Sequence, residues 1–104
     1  MVQSISVLST EYVRVGVRAT VNGGPYNPTS GLVQFAFTRG TASPETWVDG
    51  EWDEAPLPGT TTYVARCLIG PDTVALTPGT YNVWIKITAD LEIRVRKTGQ
   101  LQIT

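Results

Sequence analysis

Apolar residues at every second position constrain this chain more than any other feature. Val13, Val15, Val17, Ala19 and Val21 fall on one parity, and Arg14, Gly16, Arg18 and Thr20 on the other. That is the pattern of a strand with one face buried and the other in water. Asn22-Gly23-Gly24-Pro25 ends it with turn chemistry. Val33, Phe35 and Phe37 share a second face, with Gln34 and Thr38 opposite. Tyr63, Ala65, Cys67 and Ile69 make a third inward set, although Val64 and Leu68 leave its outer side partly apolar. Tyr81, Val83, Ile85 and Ile87 make a fourth, and Ile93 and Val95 then alternate with Arg94 and Arg96. Leu101 and Ile103 close the chain, and Ile5 with Val7 suggests one more strand near its start.

No window supports an amphipathic helix, and glycines or prolines punctuate the chain at short intervals. The expected fold is an all-β, Ig-like antiparallel sandwich of about seven to nine strands. One domain, residues 1–104, accounts for the whole sequence, a length that buries enough surface for a single core. Within it, Leu76-Thr77-Pro78-Gly79-Thr80-Tyr81-Asn82-Val83 is the most specific segment. A tyrosine opening a late strand after a turn is placed to fold its hydroxyl back onto upstream backbone, as at the tyrosine corner of immunoglobulin-like sandwiches.

Composition removes most chemistry. There is no histidine and a single cysteine, Cys67, so imidazole-dependent nucleophiles, imidazole metal ligands, an intrachain disulfide and cysteine-rich zinc sites are excluded. Eight cations against nine acids give no electrostatic case for nucleic acid. No apolar run is long enough to cross a membrane as a helix. The segment Met1-Val2-Gln3-Ser4-Ile5-Ser6 lacks the basic start and apolar stretch of a signal peptide, which points to synthesis and folding in the cytosol. Charged residues make up 16% of the chain while threonines number fifteen. Such a low-charge surface suits a protein packed against other proteins.

Five of the nine acids crowd into ten positions: Glu45, Asp49, Glu51, Asp53 and Glu54. They lack the Asp-x-Asp-x-Asp-Gly spacing of a calcium loop, and a sandwich of this size leaves little room for the cleft of a glycosidase carboxylate pair. A solvated hairpin, or a negative tip docking on a basic neighbour, is the expectation. Were Asp49-Gly50 a two-residue hairpin turn, Trp47 would face Trp52 across the ladder, leaving an indole face for a partner. Trp84 has outward parity, opposite to Tyr81, Val83, Ile85 and Ile87. It is either covered by a loop or used for contact. Arg94, Arg96 and Lys97 form a small basic cluster that reads as a solvated strand edge discouraging unwanted pairing.

Three stretches carry a family resemblance. Tyr26-Asn27-Pro28-Thr29 followed by Leu32-Val33-Gln34-Phe35-Ala36-Phe37, then Pro78-Gly79-Thr80-Tyr81-Asn82-Val83-Trp84-Ile85-Lys86-Ile87-Thr88, then Gly99-Gln100-Leu101-Gln102-Ile103, resemble small Ig-like structural proteins of tailed bacteriophages. The likeness is to those of actinobacterial phages and, more distantly, to the N-terminal domains of baseplate upper proteins, and it covers most of the chain. It implies a non-enzymatic virion component without cofactors, assembled in the host cytoplasm. Its partners would be capsid, neck or tail subunits, or a second copy of itself. Head decoration or a head–tail accessory role leads, with a tail or baseplate position and a carbohydrate-binding or adhesion module as alternatives. The residues expected to meet a partner are Trp84, Trp47, Trp52, Asp53 and Glu54.

Overall fold

The computed structural model describes residues 2–17, 19–21, 24–26, 31–53, 62–89 and 92–104. Every regular element in them is a strand: β1 Val2–Ile5, β2 Glu11–Val17, β3 Ala19–Val21, β4 Gly24–Tyr26, β5 Leu32–Thr38, β6 Val48–Asp49, β7 Glu51–Trp52, β8 Tyr63–Ile69, β9 Gly79–Ala89 and β10 Glu92–Ile103. The alternating segments of the sequence became β2, β5, β8 and β9 because period two lets each bury one row of apolar side chains. The short elements raise the total to ten. β3 and β4 pair as a separate two-stranded sheet, and 48–52 lends a two-residue strand to each large sheet.

The strands make a five-stranded sheet in the order β1-β10-β9-β5-β6 and a three-stranded sheet in the order β2-β8-β7. All pairings within them are antiparallel except β1 with β10. A central β9 flanked by β5 and β10 is faced by β2-β8-β7, so the two sheets form a β-sandwich arrangement. Between the sheets lie Ile5, Val33, Phe35, Tyr81, Val83, Ile85, Leu101 and Ile103 from the larger, and Val13, Ala65, Cys67 and Ile69 from the smaller. Val15, Val17, Phe37 and Trp52 pack against this cluster while partly exposed. Tyr63, expected among the core residues, is only half-buried and stays outside it.

The tyrosine corner is present. The Tyr81 hydroxyl donates to the Thr77 carbonyl at 2.9 Å. Arg39 Nη2 donates to that hydroxyl at 2.7 Å and to the Pro78 carbonyl at 3.1 Å, and its guanidinium carbon lies 4.7 Å from the ring centroid. Gly79 between them has φ +147°, and a Cβ there would stand 3.2 Å from the guanidinium carbon. Burial alone would raise the phenol pKa; hydrogen bonds with Thr77 and Arg39, together with the Arg39 charge, outweigh it and hold the pKa below its ordinary value.

Two further sequence expectations fail here. The 48–52 segment is not a hairpin: β6 pairs with β5, and β7 with β8, so the chain passes from one sheet to the other at Gly50. The Gly50 N–H donates to the Val33 carbonyl at 2.9 Å. A Cβ on Gly50 would lie 2.7 Å from the Phe35 ring and 3.0 Å from the Arg66 carbonyl. The glycine serves close approach between the sheets rather than a positive-φ turn. The second failure is parity in β10. Its register against β9 slips between Lys97 and Gly99, a bulge that inserts one residue and reverses facing beyond it. Leu101 and Ile103 are buried, whereas Ile93 and Val95 are exposed.

Candidate functional site

The register of β10, β9, β5 and β6 lines up three rows on the outer face of the larger sheet: Ile93–Thr88–Leu32, Val95–Lys86–Gln34–Asp49 and Lys97–Trp84–Ala36. Leu32 is 53% exposed, Ile93 64% and Val95 39%, so two adjoining rows present apolar side chains to solvent. Beside them, Trp84 is half-buried, with its indole N–H donating to Thr38 Oγ1 at 2.9 Å. Lys86 Nζ sits 4.7 Å from the Trp47 ring centroid, a cation–π contact. Gln34 Nε2 donates to Asp49 Oδ1 at 3.1 Å. Ala36 has outward parity yet is buried, so the middle of this face is covered while its β10 end is open.

Trp84 therefore lies on the outer face, as its parity predicts, half-covered rather than free. Trp47 and Trp52 do not pair, because they belong to different sheets. Trp47 precedes β6 and meets Lys86. Trp52 packs against the core from β7 and donates its N–H to the Gly31 carbonyl at 3.0 Å. The acids do not gather into a tip either. Asp49 sits on the larger sheet, while Glu51 and Asp53 hold Arg66 on the smaller one: Arg66 Nε to Glu51 Oε1 is 2.9 Å and Arg66 Nη1 to Asp53 Oδ1 is 3.1 Å. The second contact is an ion pair off the hydrogen-bonding direction, which leaves that buried carboxylate oxygen without a hydrogen-bond donor among the described residues. Glu45 is exposed, and Glu54 lies outside the described residues. Arg96 and Lys97 also fall on opposite faces, in register with Ile85 and Trp84, so the cations of β10 do not share one face.

The outer face of the smaller sheet sets charged side chains among Tyr12, Val64 and Leu68. Arg14 and Arg66 are cross-strand neighbours. Their guanidinium carbons lie 5.3 Å and 4.6 Å from the centroid of the Tyr12 ring. Beneath them Cys67 is buried, and burial, with a smaller contribution from the Glu51 charge, pushes its thiol up to about 11. A thiol so placed is a small core side chain, not a nucleophile. On the side of the sandwich where β2 faces β10, a cleft of 460 Å³ is lined by Gln3, Val13, Arg14, Val83, Thr98 and Gly99 among others. No group of three or more Cys, Asp or Glu placed to hold a metal occurs among the described residues.

The residues that the sequence reading overlooked are Leu32, Ile93 and Val95. The available signal was Lys97-Thr98-Gly99, a polar, glycine-containing break between two alternating runs, where an inserted residue changes which run faces in. Comparison with known protein families, with curated proteins and with solved structures finds no match.

Proposed function

We propose that the chain is a non-enzymatic structural protein of a tailed-bacteriophage particle. In this reading it is a head decoration or head–tail accessory protein that binds and reinforces neighbouring subunits. The observation that carries the reading is the exposure of Leu32, Ile93 and Val95 in two adjoining rows of a sheet whose core is already complete without them. Adjoining exposed apolar side chains, flanked by aromatic and charged ones, mark a contact surface. The likeness of the sequence to phage Ig-like proteins supplies the setting. In a repeating shell each copy needs only modest affinity, because the lattice multiplies it. An adhesion module draws less support: a sugar platform wants a free indole face, whereas Trp52 packs on the core, Trp84 is half-buried and Trp47 meets Lys86.

Mass spectrometry of purified particles from the phage that carries the coding sequence tests this directly. The chain should be present in fixed proportion to a major subunit, and Leu32→Asp with Ile93→Asp should strip it from the particle without changing its melting temperature. Absence from particles, with neighbouring genes unrelated to portal, capsid or tail proteins, overturns the virion reading.

A further inference from the structure

Resting on that reading of the larger sheet as a contact surface, we propose that the unpaired edge of β10, residues 92–97, accepts an extended acidic strand from a partner protein. β1 pairs with β10 only from Gln100 to Ile103. Among the described residues no strand covers the same side of 92–97.

The ladder fixes which backbone groups are open there. The Gly50 N–H donates to the Val33 carbonyl, so Val33 turns its backbone away from β9, and Leu32, Gln34, Ala36 and Thr38 turn theirs toward it. Their register partners Thr88, Lys86, Trp84 and Asn82 face β5, which leaves Tyr81, Val83, Ile85 and Ile87 facing β10. Ile85 and Ile87 are in register with Arg96 and Arg94. The N–H and C=O groups of Arg94 and Arg96 are thus taken by β9, and those of Ile93, Val95 and Lys97 point to the open side. The far end of β10 agrees: Thr104 exchanges hydrogen bonds with Ile5 and Val7 of the β1 segment, so beyond the bulge the even-numbered residues face outward from β9. Arg96 Nη1 reaches the Val95 carbonyl at 3.2 Å, a side chain standing in where a neighbouring strand would donate.

Charge selects the occupant. Arg66 is paired with Glu51 and Asp53, Arg39 is tied to Tyr81 and Thr77, Lys86 lies on Trp47 and Arg14 on Tyr12. Arg96 and Lys97, both exposed, have no carboxylate partner among the described residues. A strand of alternating character laid along this edge would place apolar residues beside Ile93 and Val95 on the outer face and a carboxylate beside Arg96 on the opposite one, with Lys97 ending the outer row. A second copy joined antiparallel about Val95 would instead set Arg94 against Arg96, an unfavourable like-charge pairing. The cations that guard the edge against its own kind are the ones that admit an acidic strand.

The test uses the whole chain and a synthetic Thr-Val-Glu-Val-Glu-Val-Thr peptide, followed by amide exchange and NMR shifts. Peptide at millimolar concentration should slow exchange at Ile93, Val95 and Lys97 about tenfold, while Arg94 and Arg96, already protected by β9, stay unchanged. Val95→Pro, which removes the open N–H and keeps an apolar side chain, should abolish binding; Val95→Ala should keep it. Should the proline variant fail to fold, the exchange pattern of the unaltered protein decides alone. A peptide that shifts the Leu32 and Ile93 methyl signals but not these amides overturns strand addition and leaves the contact-surface reading standing. No response at all, equal binding of a peptide with Lys in place of Glu, or self-association through this edge overturns the proposal, whereas the surface reading is judged separately by particle attachment of the Leu32→Asp, Ile93→Asp variant.

Discussion

The two outer faces of the sandwich solve the same problem in opposite ways. On the smaller sheet the polar groups answer one another: Arg66 is held by Glu51 and Asp53, and two guanidinium groups stack near Tyr12. On the larger sheet the β10 end differs: Ile93 and Val95 are exposed, and among the described residues Arg96 and Lys97 have no carboxylate partner and no strand covers the edge of 92–97. The closed face contributes to folding, and in the proposed reading the open face meets a partner. The difference is set by the core only indirectly, through where the chain changes sheets and where β10 bulges.

The largest effect should come from the crossing point that separates the faces. Gly50→Ala forces a methyl against the Phe35 ring and the Arg66 carbonyl and should cost about 2–3 kcal/mol in urea unfolding, the scale of an overpacked core. A loss under half that would mean the two sheets part easily at this point.

The next effect probes the core beneath the closed face. The thiol of Cys67 is raised from 9.0 to about 11, so the unfolded chain releases its proton first. Stability contributed by the protonated thiol is full below pH 9.0 and is lost as pH rises toward 11, at no more than about 1.4 kcal/mol per pH unit. Tyr81, held below its ordinary value, acts in the opposite direction. The difference between wild type and Cys67→Ala therefore isolates the thiol: the variant's unfolding free energy should fall less between pH 9.0 and 11. Parallel curves would show that the thiol carries no such burden.

On the closed face itself, Asp53→Lys breaks a partly buried pair and sets a cation beside Arg66. It should cost about 1–2 kcal/mol, measured by thermal melting. A solvated or partner-docking acidic tip would give Asp53 no part in stability; the Arg66 contact gives it one. The smallest effect on stability should come from the open face. Leu32→Asp with Ile93→Asp should change the unfolding free energy by less than about 0.5 kcal/mol while attachment is lost. A large destabilisation there would make the two faces alike and end the contrast.

How much of this was legible depends on whether the signal is local. The strands β2, β5, β8 and β9 were readable because alternation is a property of neighbouring residues. Tyr81 was readable because its partner, Thr77, lies in the same turn. Trp84 was placed on the right face by parity alone. The 48–52 segment was misread because Asp49-Gly50 has strong hairpin chemistry, while the contacts that overrule it, with Val33 and Phe35, are distant in sequence. With the hairpin went the Trp47–Trp52 pair and the acidic tip. The outward turn of Ile93 and Val95 was hidden for a related reason: the apolar residues on both sides of Lys97-Thr98-Gly99 share odd numbers, and whether that polar break drops a residue from the ladder is decided by pairing with β9, not by neighbouring residues.

That dropped residue makes the 92–97 surface tolerant of a change in chain length. Thr98 stands outside the ladder between Lys97, opposite Trp84, and Gly99, opposite Val83. Loss of its codon would make the ladder regular and leave every side chain of 92–97 on the face it now holds. Closing the ladder with Thr98 kept would instead slip 92–97 by one position against β9 and carry Ile93 and Val95 inward. The bulge is what lets one extra residue enter the strand without turning the outward run over.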